Sequence, residues 1–122
     1  MKLGPGLAML AVLASCATSA PEDPKFQCAA AVTTLSQCGE AVQEWQARGT
    51  GQRPPCIDET PPEVTTIVES GDRSYPDDAQ SRLELQRIAK NLEMADRFLR
   101  REKPVEAGVL LGKIEGRCAA LP

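Results

Sequence analysis

The 122-residue chain contains no histidine, and that absence removes more chemistry than any other single feature. Without imidazole there is no Ser-His or Cys-His nucleophile pair, no histidine base and no histidine metal ligand. The aromatic residues number four, Phe26, Trp45, Tyr75 and Phe98, so the core is expected to be small and aliphatic. No C-x-x-C occurs, which argues against a zinc site and against dithiol catalysis. No apolar run approaches the roughly 20 residues of a membrane-spanning helix. Phosphate-cradling glycine loops are missing, and Ser36, Ser70, Ser74 and Ser81 lie in no nucleophile-elbow setting. The reading is therefore of no enzyme, no cofactor and no metal. Few aromatics and a net charge of −3 also make nucleic acid an unsuitable partner.

What the chain does have begins at its N-terminus. Lys2 gives a positive start, residues 7–14 form an apolar run of eight, and small residues follow. That order marks an export signal. It closes on Leu13, Ala14, Ser15 and Cys16, which resembles the lipobox of bacterial lipoproteins at every position. The resemblance covers the leader alone. It implies cleavage before Cys16, fatty acylation of that cysteine (palmitate-type chains) and a stable anchor, since two or more chains hold where one binds marginally. Ala17, where inner-membrane retention would use Asp, implies by analogy an outer-membrane location facing the periplasm. Without the resemblance the same leader could be cut after Ala17 or Ala20, although Pro21 disfavours the second. Residues 1–15 are thus expected to be leader, 16–24 a lipidated cysteine and tether, and 25–122 one helical domain.

Assigning Cys16 to lipid leaves Cys28, Cys38, Cys56 and Cys118, four thiols that read as two disulfides in an oxidising compartment. Residues 25–48 look helical, with Cys28, Ala31, Leu35, Cys38, Val42 and Trp45 spaced by threes and fours on one face. Ten residues of helix hold Cys28 and Cys38 about 15 Å apart, too far to bridge. The eight residues from Arg48 to Cys56 reach about 26–29 Å when extended. That span covers the return to Cys38 more easily than the one to Cys28. Cys38–Cys56 with Cys28–Cys118 is favoured; Cys28–Cys56 with Cys38–Cys118 stays open should the helix end fray. The C-x9-C spacing also resembles one half of the twin C-x9-C hairpins, but the second pair is missing here.

The first helix should stop at Gly49, Thr50 and Gly51, ahead of Pro54 and Pro55. Thr60, Pro61, Pro62 and Glu63 form a capping-box pattern that predicts a short helix over residues 61–70. The β-branched run at 64–68 argues instead for a strand, which would lack a partner. From 77 to about 102 the seam Leu85, Ile88, Leu92, Ala95 and Leu99, backed by Leu83 and Phe98, predicts a long helix entered through Asp77 and Asp78. Residues 104–119 form a last helix with Ala107, Leu110, Leu111, Ile114, Cys118 and Leu121 inward. Its Gly108, Gly112 and Gly116 line one stripe, either for a close helix approach or as a merely marginal helix. The expected fold is all-α: a small disulfide-stapled helical bundle of three long helices and one short one.

Charge divides the chain. Residues 22–78 carry eleven acidic and four basic side chains; residues 82–117 carry six and nine. Arg87, Lys90, Arg97 and Arg101 fall opposite the leucine seam and could meet a partner protein or lipid headgroups. Ordinary solvation is the competing reading, with Glu93–Arg97 and Asp96–Arg100 as helical ion pairs. Asp58 with Glu59 and Asp77 with Asp78 read as helix caps rather than acid–base pairs. Two functions are then expected to compete. One is a structural or partner-binding lipoprotein of the bacterial outer membrane, like small pilot and scaffold lipoproteins. The other is a periplasmic inhibitor or small-ligand binder using the Pro-rich segment 50–62.

Overall fold

The structure, a computed structural model, describes residues 23–122. The leader, Cys16 and most of the tether lie outside the described residues.

Helix α1 (Pro24–Arg48) starts where Pro24 takes the first helical position and the Asp23 carboxylate accepts from the Lys25 N–H at 3.0 Å. It stops where Gly49 turns left-handed (φ 70°) and its N–H donates to the Trp45 carbonyl, the glycine termination that the sequence signals. A single 3-10 turn (Pro55–Ile57) follows and drives Ile57 into the core. Helix α2 (Pro62–Ser70) settles the ambiguous run at 64–68. Val64 and Ile67 are fully buried three residues apart, while Thr65 and Thr66 point outward, a helical rather than an alternating pattern.

Helix α3 (Ala79–Arg100) is capped by Asp78, whose carboxylate accepts from the Ser81 N–H at 3.1 Å and the Ser81 hydroxyl at 2.7 Å. The Ser81 hydroxyl, ahead of its backbone N–H, holds the Asp78 carboxyl below its ordinary pKa. After a tight turn in which Glu102 adopts φ 61°, α4 (Pro104–Ala119) runs back along the bundle.

The ends fix the topology. Gln46 Nε2 donates to the Glu102 carbonyl at 2.8 Å, so α1 and α3 finish at the same end. At the other end Pro24 and Gln27, at the start of α1, line the same cleft as Tyr75 and Pro76, just before α3. The four helices therefore run up, down, up, down, with α2, at nine residues, the shortest of them. Helices α2 and α4 each pack against both α1 and α3, which also touch across the diagonal.

Leu35, Ile57, Ile67, Leu85, Ile88, Leu92, Leu99 and Ile114 are fully buried between them. Cystines close the arrangement: Cys28–Cys118 joins α1 to α4 (Cα–Cα 5.6 Å), and Cys38–Cys56 joins α1 to the connector (5.9 Å). This is the pairing that helix geometry and loop reach favour.

Two local expectations are corrected and one open alternative is decided. Leu83 does not back the seam; it is 46% exposed, because two residues from Leu85 is about 200° of helical rotation. Thr60 does not cap α2, whose N-cap is Pro61. Its hydroxyl instead donates to the Asp96 carboxylate at 2.8 Å and accepts from Arg100. The glycine stripe of α4 is not a place of close helix approach, since a Cβ at Gly108, Gly112 or Gly116 would meet nothing within 4 Å.

Candidate functional site: the outer ridge of helix α3

Among the described residues no group of three or more Cys, Asp or Glu side chains is arranged to hold a metal, and no helix is long and apolar enough to cross a membrane. The carboxylate pairs singled out in the sequence do not converge on a reacting position. Asp78 caps α3, while Asp58 ends the 3-10 turn and receives the Arg53 guanidinium, which also reaches Glu102 at 3.5 Å. Asp96 is the one charged side chain buried among the described residues, and Thr60 and Arg100 engage it, the latter at 3.3 Å. That cluster ties the connector to α3 through the Asp96 Oδ2.

The feature that stands out is on the surface. Arg87, Lys90, Arg97 and Arg101 are all exposed and share the face of α3 turned away from the core. Leu83 and Met94, 46% and 42% exposed, lie in the same row. Together these six residues follow steps of four, three, four, three and four, a straight ridge at the period of a helix-packing seam. From Leu83 to Arg101 it is about 27 Å long.

The ridge is incompletely neutralised. Arg87 approaches Glu84 at 4.0 Å, but Glu84 is held mainly by Arg117 of α4 at 2.8 Å. That hydrogen bond keeps the Glu84 carboxyl below its ordinary pKa and raises Arg117. The expected Asp96–Arg100 pair forms on the flank of the ridge; Glu93–Arg97 does not. Among the described residues Lys90, Arg97 and Arg101 have no carboxylate within ion-pair distance. Beside Lys90 a groove between α2 and α3 is lined by Val68, Glu69, Asp72, Gln86 and Glu93. Uncompensated positive charge is therefore concentrated toward Arg97 and Arg101.

Sequence reading identified the four cations but missed Leu83 and Met94. The signal was present: both are in phase with the cations and out of phase with Leu85 and Leu92. Asp96 was also missed, since its burial depends on Thr60, 36 residues away. Cys28, Cys38, Cys56 and Cys118 are all taken up in cystines. Comparison with known proteins finds no family model that matches the chain and no curated protein or solved structure similar to it.

Proposed function

We propose that this is a non-catalytic lipoprotein of the bacterial outer membrane, anchored through acyl chains on Cys16, whose helical bundle serves as a docking component for a protein partner. Leader and cysteine pattern support the address: the lipobox-like ending of the leader accounts for the fifth thiol, and two cystines suit an oxidising compartment. The observation that carries the docking role is the ridge on α3, where exposed Leu83 and Met94 alternate with cations, three of which (Lys90, Arg97 and Arg101) have no ion pair among the described residues.

The direction of α3 favours a protein over lipid headgroups. Asp78 stands at the end of the bundle from which the tether leaves, and Arg97 and Arg101 lie about 28–35 Å further along the helix. The field of a charged membrane fades over about 8–10 Å. An upright bundle therefore presents the strongest part of the ridge to the periplasm. The competing inhibitor reading, built on segment 50–62, has less behind it. Cys56 is bonded to Cys38, Asp58 is taken by Arg53 and Thr60 by Asp96, so the segment is tied down at three points.

Mass spectrometry of the membrane-extracted protein tests the address, with an acylated residue 16 and two cystines expected. An unacylated, freely soluble molecule overturns it. Crosslinking through Met94 in intact cells tests the docking role, with a defined protein adduct expected; adducts to phospholipid alone, or none, overturn it.

A further inference from the structure

The outward face of α1 carries a row that matches the ridge. Phe26, Ala30, Thr33, Gln37, Glu40 and Glu44 follow the same steps of four, three, four, three and four. Phe26 is 62% exposed, and all the rest are exposed except Ala30, which is half-buried. Glu40 has no ion pair among the described residues, and Glu44 has only an exposed contact to Arg48 at 3.8 Å. The two rows differ by a constant 57 positions. Phe26 corresponds to Leu83, Gln37 to Met94, Glu40 to Arg97 and Glu44 to Arg101. Apolar residues thus meet at one end, and opposite charges meet at the other.

We propose that the occupant of the α3 ridge is the α1 face of a second copy of this chain, docked head to tail. This rests on the reading of the ridge as a docking surface and names its partner.

The fold makes the contact feasible without distortion. Helices α1 and α3 are parallel and stand at opposite corners of the bundle, so their outer faces point away from each other. A second copy displaced sideways, with its tether on the same side, sets its α1 parallel to α3 of the first. Gly39 of α1 faces Leu99 of α3 across the core, which puts residues 60 positions apart at one height. An offset of 57 is then a vertical slip of only three residues, about 4.5 Å. Neighbouring anchors can accommodate that slip in one bilayer.

The two faces are different surfaces, so each docked copy still offers one of each. The contact is heterologous and propagates as a row along the membrane plane. Interlocked seams of this period give parallel helix packing, with Glu–Arg pairs setting partner choice.

Charge exchange on the full-length, membrane-bound protein tests it. Amine-reactive crosslinking of membranes from the wild type should yield a ladder of homo-oligomers. Arg97→Glu with Arg101→Glu should reduce that ladder about tenfold, and Glu40→Arg with Glu44→Arg should do the same. Both pairs are exposed, and retention of two cystines by mass spectrometry checks the fold. Co-expressing the two variants should restore mixed oligomers, because each then presents the charge that the other lacks. No wild-type ladder, an unchanged ladder in either variant, or failure of the mixture to recover overturns the proposal. A Met94 crosslink to a different protein overturns the second copy and leaves the docking role standing, whereas a phospholipid adduct or none overturns both.

Discussion

Helices α1 and α3 are of similar length and stand at opposite corners of one bundle, yet they are held there by different means. Helix α1 brings two cystines and rather small inward residues, Ala31, Val32, Leu35 and Val42; α3 brings no cysteine and a row of large ones, Leu85, Ile88, Leu92 and Leu99. The one helix supplies covalent fastening and the other supplies large aliphatic side chains. A domain of about 100 residues with few aromatics buries too little for a wide stability margin, and both staples include α1, whose buried side chains are smaller than the Leu and Ile row of α3.

That contrast can be broken at several points. The largest effect is expected from Cys28→Ser with Cys118→Ser. This cystine spans 90 positions, and its loss releases about 4–5 kcal/mol of loop entropy in the unfolded chain. The Cys38–Cys56 bridge spans 18, so its removal should cost about 3 kcal/mol. Denaturant unfolding of the two variants checks the order, which reverses if strain rather than loop length governs. On the unstapled side, Leu92→Ala should cost about 3 kcal/mol through the cavity it leaves, read as a lower denaturation midpoint with both cystines intact.

Asp96→Ala should cost about 2 kcal/mol, since the Thr60 hydroxyl loses the carboxylate it donates to and Arg100 loses its ion pair. Hydrogen exchange should then rise in the connector before it rises in α3. The smallest effect belongs to the α3 cap, where Asp78→Ala should lower the denaturation midpoint less than Asp96→Ala does.

The cap and the Glu84–Arg117 bridge also give the fold an acid-sensitive side. Both carboxyls are held below their ordinary pKa, Asp78 by Ser81 and Glu84 by Arg117. Their stabilisation is thus full at neutral pH and is lost as pH falls through the ordinary carboxyl range and beyond it to the lower folded-state values. Thermal unfolding followed from pH 7 to pH 3 should show a decline that Asp78→Ala reduces.

Much of this fold was legible before any coordinates. Pro24 and Gly49 bracket α1, Pro104 opens α4, and the reach of eight residues from Arg48 favoured Cys56 with Cys38 over Cys28. These are local or polymer-geometric facts, and a sequence carries them openly. The misreadings of Thr60 and Asp96 concern side chains whose partner lies far along the chain. Thr60 looks like a cap because the capping pattern is local, but the buried carboxylate of Asp96 competes for the same hydroxyl and wins. The glycines of α4 share a stripe, but periodicity cannot say which stripe faces a neighbour. Leu83 and Met94 were hidden differently: the eye groups leucines by identity, whereas the wheel groups them by angle and assigns both to the cationic side.

The Cys28–Cys118 bond has a mechanical meaning as well. It fastens Cys28, near the start of α1, to Cys118, near the end of α4. Tension applied between the start of α1 and the end of α4 would pass directly through the sulfur bridge. Nearly the whole bundle would hang outside the line of force, shielded from stretching for as long as that bond remains oxidised.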